Sequence, residues 1–316
     1  MPPTLNDRAQ RLADYVAANA AAMRVNVNTS AAGARLIDCG IQTSGGLQAG
    51  LNLARICMAG LAEIAIVPGD VAGVAVPSVV VSTDAPVAAC IASQYAGWQV
   101  SVGKFFAMGS GPMRAIYGKE EVFDDIGQRE KSPVAVGVLE TRKLPDDAVI
   151  EYLSKSLDLD PKKLTLCVAP AASIAGNLQV VARSLETALH KLHTLKFDLS
   201  RIVSGMGSAP MAPVAANELI AIGRTNDAIL YGGRVVLWVQ ATDEEIQEIG
   251  PQVPASASED YGVPFAEIFE RYKQDFYKID PKLFSPAEVV FCNLKTGRSF
   301  TFGRTMPEVM VRSFFA

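Results

Sequence analysis

Residues 177–195 read NLQVVARSLETALHKLHTL, and the rest of the chain is organised around this stretch. Its apolar residues recur at steps of three and four, which predicts one continuous amphipathic helix. The apolar stripe consists of Leu178, Val181, Leu185, Ala188, Leu189, Leu192 and Leu195. At about 100° per residue, a second face of the same helix carries Arg183, Glu186, His190 and His193, which include both histidines of the chain.

Arg183 and Glu186 are three residues apart, so their side chains can meet on the helix surface. Taken from the residues alone, this face is interpreted as solvated. The pair is then a surface ion pair, worth about 0–1 kcal/mol.

A repeated phrase lies to either side of this predicted helix. MGSAPM occupies residues 206–211, and MGSGPM occupies residues 108–113, so the copies are 98 residues apart and differ only at Gly111 and Ala209. Each copy is interpreted as a small-residue turn after a strand. Such a turn lets backbone amides and a hydroxyl approach a ligand closely.

The flanks of the two copies are also similar, because a predicted strand and helix precede each copy and a helical stretch and a strand follow it. This pattern predicts an α/β fold with α+β-like mixed sheets, in which an internal duplication forms two similar domains facing across a cleft. The predicted ranges are 1–130 for the first α/β unit, 131–250 for the second unit with the catalytic helix, and 251–316 for a segment packing across both, with exchange of segments allowed.

Further elements are predicted around the second copy and at the end of the chain. Helices are expected over 213–222 and 265–276, strands over 100–107 and 228–240, and a hairpin from 289–294 and 298–302. Asn226 then stands just before a strand and Tyr231 lies within it.

Composition excludes several classes of function. The chain has 316 residues, of which 49% are hydrophobic and 20% charged, which predicts a large core. A net charge of -4 without a basic run argues against nucleic-acid binding.

No 18-residue apolar window predicts a membrane span, and the N-terminus lacks the apolar region of a signal peptide, so a cytoplasmic protein without a membrane partner is expected. The five scattered cysteines are interpreted as reduced structural thiols.

Common catalytic motifs are absent from the sequence. It contains no P-loop, no GxGxxG after a strand, no HExxH and no GxSxG elbow. His190 and His193 have no nearby ligand pattern, so no metal site is predicted.

Several separated segments, in order, resemble the methenyltetrahydromethanopterin cyclohydrolase family. Besides the two MGSxPM copies, they are DCGIQTSGGLQAGL (38–51), ARSLETALHKL (182–192), GRTNDAILYGG (223–233) and DYGVPFAEIFERY (260–272). The resemblance covers nearly the whole chain. It implies reversible hydrolysis of the cyclic methenyl bridge of tetrahydromethanopterin, or a close relative, to the 5-formyl derivative. It also implies that no metal or prosthetic group is needed, and that the subunits are two-domain members of a homotrimer with the pterin bound between the domains.

The resemblance assigns the catalytic roles to Glu186 and its partner Arg183. Such chemistry suits a carboxylate, which can accept a proton from water and return it to the departing nitrogen. Substrate-binding residues are expected at the predicted strand ends: Ser110, Gly111, Met206, Ser208, Asn226 and Tyr231. Two alternatives stay open, namely an enzyme with different chemistry on the same carrier, and a non-catalytic pterin-binding or structural oligomer in which Arg183 and Glu186 form a surface pair.

Overall fold

The computed structural model describes residues 3–315. The helices of this range are α1 Leu5–Ala18, α2 Ala20–Met23, α3 Leu47–Cys57, α4 Met113–Tyr117, α5 Val122–Ile126, α6 Asp147–Leu157, α7 Ile174–Val181, α8 Ser184–Thr194, α9 Glu218–Leu230, α10 Asp243–Ile249, α11 Phe265–Arg271 and α12 Pro307–Phe315, together with a π-helix over Val87–Gln94. None of the helices in the described range is long and apolar enough to cross a membrane.

The strands form two large sheets and a small hairpin. They are β1 Asn26–Thr29, β2 Arg35–Asp38, β3 Glu63–Val67, β4 Asp70–Val71, β5 Val74–Ala75, β6 Ser78–Thr83, β7 Trp98–Val102, β8 Phe105–Ser110, β9 Ala135–Glu140, β10 Leu164–Ala169, β11 Ile202–Pro210, β12 Arg234–Val239, β13 Glu288–Asn293 and β14 Ser299–Gly303. The first sheet has the order β1-β2-β10-β9-β8-β7, and the second has the order β14-β13-β12-β11-β6-β3. Both sheets mix parallel and antiparallel pairs, which confirms the predicted α/β class with mixed sheets.

The two motif-bearing strands, β8 and β11, occupy comparable places in their sheets. β8 is antiparallel to both neighbours, and the next strand, β9, pairs with β10 in parallel. β11 is likewise antiparallel to both neighbours, and β12 pairs with β13 in parallel. This agreement is what a duplication would produce, but the duplication itself stays a prediction.

The chain divides into two compact units whose segments alternate along the sequence. The first unit contains the residues up to Ala62 together with Ala88–Gln179, and the second contains Glu63–Val87 together with all residues from Val180 onward. Domain boundaries are predicted at residues 130 and 250. Residue 130 lies inside the first unit and residue 250 lies inside the second. The segment from 251 onward belongs to the second unit, and its strands β13 and β14 join the second sheet.

Helices cover both faces of the first sheet. One face of β10 presents Cys167 and Ala169 to a core built with α1 and α3, and the other presents Leu164, Leu166 and Val168 to a core built with α6. All six residues of β10 are buried, as expected for a parallel strand with helices on both sides.

The second sheet buries one face more than the other. Val81, Leu237 and Phe291 are 0% exposed and lie on the buried face, in register with Gly205 and Gly207 of β11. The alternate residues of the same strands form an open apolar face that is partly exposed. This open face consists of Val80, Met206, Val236, Trp238 and Val290.

Four predicted elements differ from the structure. The single strand expected over 100–107 is a hairpin of β7 and β8, because the chain turns at Gly103 with φ 57°. The helix expected over 213–222 begins only at Glu218, and the strand expected over 228–240 begins only at Arg234. The helix expected over 265–276 ends at Arg271, since Lys273 and Gln274 have positive φ angles that end an α-helix.

Candidate active site

The helix predicted over 177–195 is interrupted between α7 and α8. Residues 182 and 183 leave the α-helical pattern, and the backbone N–H of Arg183 donates to the carbonyl of Val180, three residues back. Arg183 is therefore the N-cap of α8, with φ −87° and ψ 4°. The interruption gives α8 its own N-terminus, which a continuous helix would not have.

Arg183 and Glu186 form a buried ion pair. The Nη1 atom of Arg183 lies 3.8 Å from Oε2 of Glu186, and the two side chains are only 8% and 5% exposed. The interpretation of this face as solvated is therefore wrong. Helical periodicity shows which residues share a face, but it does not show what covers that face.

The interruption places Glu186 in the first turn of α8. A helix N-terminus carries a partial positive charge and backbone N–H groups without intrahelical acceptors. Together with the Arg183 guanidinium, this location compensates a negative carboxylate in a buried setting. Such compensation is needed because an isolated buried charge is costly.

Two glycines of the second motif copy let α8 approach β11 closely. A Cβ atom at Gly205 would stand 2.8 Å from Cδ1 of Leu185, and one at Gly207 would stand 2.6 Å from Oγ of Ser184. MGSAPM is therefore not a turn after a strand, because its first five residues lie inside β11 and its glycines accommodate the start of α8. The Gly-x-Gly spacing within a strand is the sequence signal that could have indicated this contact.

Ser184, at the start of α8, is a residue that the sequence interpretation missed. It is 0% exposed, and its Oγ has no hydrogen-bond partner among residues 3–315. The hydroxyl lies against the position of Gly207, where any side chain would displace it.

Met206 and Ser208 lie on the face of β11 opposite to α8. Side chains alternate along a strand, and Gly205 and Gly207 are the residues that face the helix. Met206 is 40% exposed, and Ser208 is partly exposed. Within the second unit, these two predicted binding residues therefore do not lie on the side of the sheet that carries Glu186.

Ser110 and Gly111 belong to the first unit, where the first motif copy does end a strand. Ser110 is 1% exposed; its Oγ donates to the carbonyl of Val138 at 3.3 Å and lies 3.3 Å from Sγ of Cys57. Gly111 turns the chain with φ 88°, and its N–H donates to the carbonyl of Ser93 at 2.8 Å. The positive φ explains why glycine stands here, whereas Ala209 stands in a continuing strand.

Asn226 and Tyr231 lie in and at the end of α9, not at a strand edge. The Asn226 side chain donates to the carbonyl of Ile222 at 2.9 Å within its own helix. Tyr231 is 0% exposed; its hydroxyl donates to the carbonyl of Val263 at 2.6 Å and accepts the N–H of Gly262 at 3.1 Å. Both polar groups therefore make structural contacts inside the second unit.

His190 and His193 are partly buried and lie on the face of α8 that carries Glu186. Among residues 3–315, no group of three or more His, Cys, Asp or Glu side chains is arranged to hold a metal ion.

Lys191 and Asp227 are buried charged residues to which the sequence interpretation assigns no role. Lys191 of α8 is 3% exposed, and burial lowers its pKa to about 8 although Asp280 opposes the shift; its Nζ donates to the carbonyl of Lys282 at 2.7 Å. Asp227 of α9 is 0% exposed, and burial raises its pKa to about 7. No sequence signal marks either residue, because their burial depends on packing by distant segments.

A shallow hollow of about 260 Å³ lies in the second unit. Its lining consists of Ala75, Val76, Pro77, Met211, Ala212, Pro213, Val214 and Phe315. None of the predicted catalytic or binding residues belongs to it.

Comparison with known proteins agrees with the resemblance found in the sequence. A cyclohydrolase (MCH) family profile matches residues 4–314. The chain is 49% identical to the methenyltetrahydromethanopterin cyclohydrolase of Rhodopirellula baltica, over 90% of this chain and 86% of that protein. It is 43% identical to the protein of the same name from Methylobacillus flagellatus, over 99% of this chain and 95% of that protein. It is 42% identical to the protein of that name from Methanococcoides burtonii, over 89% of each chain. The chain therefore belongs to the methenyltetrahydromethanopterin cyclohydrolase family, a family of hydrolases.

Proposed function

We propose that the protein reversibly hydrolyses 5,10-methenyl-tetrahydromethanopterin, or a close relative, to the 5-formyl derivative, with Glu186 as general base and acid. The observation that carries the proposal is the buried Arg183–Glu186 pair at the N-terminus of α8, in a chain of the cyclohydrolase family.

The chemistry needs little more than a positioned carboxylate and a water molecule. The methenyl carbon is part of an amidinium cation and is already electrophilic. Glu186 accepts a proton from water as its oxygen attacks this carbon, gives that proton to N10 as the C–N10 bond breaks, and takes up the remaining hydroxyl proton as the formyl carbonyl forms. The negative carboxylate also attracts the cationic substrate. The formyl group remains on N5.

Arg183 is proposed as the partner that tunes Glu186. Its guanidinium lies beside the carboxylate and favours the ionised form that the base step requires. We expect Arg183→Ala to move the acidic limb of the pH–rate profile to higher pH. An unchanged profile would leave Arg183 with only a binding or structural role.

The substrate-binding residues also stay a proposal: Ser110, Gly111, Met206, Ser208, Asn226 and Tyr231. Met206 and Ser208 have side chains that a ligand can reach. The polar groups of Ser110, Asn226 and Tyr231 make internal hydrogen bonds, so their contribution would be to hold the backbone around a ligand.

We further propose a cytoplasmic homotrimer that acts without a prosthetic group. The family resemblance supports this assembly. Light scattering of the purified protein tests it, and a monomer at micromolar concentration would overturn it.

The activity is tested by the loss of methenyl absorbance when the purified protein meets methenyl-tetrahydromethanopterin, with methenyl-tetrahydrofolate as the control substrate. We expect metal-independent hydrolysis of the first substrate and nearly complete loss of turnover in Glu186→Gln. Glu244→Gln is the matched control, because it removes an exposed glutamate from the first turn of α10.

Two other outcomes would contradict the proposed function. Near-normal turnover by Glu186→Gln would remove Glu186 from the mechanism. Tight binding without hydrolysis by the wild-type protein would favour a non-catalytic pterin-binding protein.

A further inference from the structure

The proposed reaction releases a proton that has to leave a buried site. A methenyl cation and water yield a neutral formyl compound, so one of the two water protons ends on N10 and the other goes to solvent. The following inference rests on the proposed function, in which Glu186 accepts these protons. Because its side chain is only 5% exposed, direct exchange with bulk water is restricted.

The helix places one histidine next to Glu186. His190 lies four residues further along α8, and side chains at this spacing have Cβ atoms about 5–6 Å apart. Side chains on a helix generally lean toward its N-terminus, and this direction favours contact between position 190 and the turn that carries Glu186. His190 is partly exposed, whereas Glu186 is buried.

The chemistry of histidine suits proton transfer at this place. Its ordinary pKa of about 6.5 lets it accept and release a proton near neutral pH. The two ring nitrogens allow a proton to arrive at one and leave from the other.

We propose that His190 relays protons between Glu186 and solvent. In the direction of hydrolysis, the carboxylic acid of Glu186 transfers its proton to one ring nitrogen of His190, and the other nitrogen releases a proton to water or buffer. Glu186 returns to the carboxylate and His190 to the neutral imidazole, so the site is ready for the next turnover. In the direction of cyclisation the same transfers run in reverse.

The other titratable groups of α8 are less suited to this role. Arg183 presents hydrogen-bond donors and no acceptor, so it cannot receive the proton of Glu186. Lys191 points about 100° away from His190 around the helix and donates to the carbonyl of Lys282. His193 lies seven residues from Glu186, about 10 Å along the helix axis, which is beyond direct transfer.

The test measures the turnover of the His190→Ala variant in a dilute buffer that binds the protein only weakly, with and without added imidazole. We expect kcat to fall by about 100-fold or more while KM changes little, since proton transfer by a positioned group contributes about 10²–10⁴-fold. Added imidazole should restore the rate in a concentration-dependent manner. His193→Ala is the matched control, because it removes the same side chain from the same face beyond reach of Glu186, and its rate should not respond to imidazole.

Two results would overturn the relay: an unchanged rate of His190→Ala in dilute buffer, or a lowered rate that imidazole does not restore. His190→Gln repeats the test with a polar side chain, in case the alanine variant folds poorly. A failure of the proposed function is distinguishable, because the wild-type protein would then not hydrolyse the substrate, or Glu186→Gln would remain active.

Discussion

Gly207 of β11 lies so close to α8 that a Cβ atom on it would stand 2.6 Å from Oγ of Ser184. The same atom would stand 2.8 Å from the backbone nitrogen of Leu185. A hydroxyl could rotate away, but a backbone nitrogen can move only with the helix. The absence of a side chain at position 207 therefore sets how closely the start of α8, with Arg183 and Glu186, approaches the second sheet.

Gly207→Ala should displace the N-terminus of α8. We expect the free energy of unfolding to fall by about 1–3 kcal/mol, as for other overpacked contacts, and kcat to fall because the ion pair moves with the helix. Urea denaturation and steady-state kinetics measure both effects. In the double variant Ser184→Ala/Gly207→Ala only part of the loss should be recovered, because the contact with Leu185 remains. A single variant as stable and active as the wild type would contradict this prediction.

The one mismatch between the motif copies predicts an asymmetry in stability. Gly111 has φ 88°, which costs an L-residue roughly 1–2 kcal/mol, so Gly111→Ala should destabilise the protein by about that amount. Ala209→Gly, the reverse change in a regular strand, should cost only about 0.5–1 kcal/mol. Thermal or urea unfolding of both variants shows which substitution causes the larger loss of stability. A larger loss for Ala209→Gly would refute this explanation of the mismatch.

Asp227 should make the protein less stable as the pH rises. Burial raises its pKa to about 7 from an ordinary value of 3.8, although hydrogen bonds from Ser313 and Phe265 oppose the shift. Between these two pH values the folded state holds more protons than the unfolded state, so the free energy of unfolding falls as the pH rises from about 4 to about 7.

Asp227→Asn tests this dependence, because the amide oxygen can still accept the N–H of Phe265. Each unit of pKa shift corresponds to about 1.4 kcal/mol. Urea denaturation gives the free energy of unfolding of both proteins at pH 5 and at pH 8. The value for the variant minus that for wild type should be larger at pH 8 than at pH 5. All other groups titrate in both proteins, so an equal difference at pH 5 and pH 8 would contradict the assigned pKa.

Arg114, which directly follows the first motif copy, is expected to be a major source of stability in the first unit. It is 0% exposed, pairs with both carboxylate oxygens of Glu120 at 2.8 and 2.6 Å, and donates to the carbonyl of Ile91. Arg114→Met should cost about 3 kcal/mol, because Glu120 and the carbonyl lose their donor. The exposed Arg312–Glu267 pair is the control, and Arg312→Met should cost about 1 kcal/mol or less. Similar losses in both variants would contradict the prediction.

Local sequence signals predicted most strands. They missed the limits of strands where one apolar run is divided between two elements, such as a helix and a strand. The run from Ala228 to Gln240 was interpreted as one strand, yet its first part ends α9. The N–H of Gly233 donates to the carbonyl of Ile229, which closes the helix before β12 begins. The Gly232-Gly233 pair was the available signal, since glycine commonly ends helices. The interruption between α7 and α8 has no such signal, because neither glycine nor proline stands at residues 182 and 183.

The family, the mixed α/β class and the spacing that puts Arg183, Glu186 and His190 on one helix face can all be read from the amino-acid sequence. Those conclusions follow from residue order and helical period, which are local properties. Three other features follow from packing in three dimensions: this face is buried, Glu186 stands in the first turn of α8, and Gly207 leaves room for the Ser184 hydroxyl. These depend on which distant segments pack against the helix, and no periodicity within the helix contains that information.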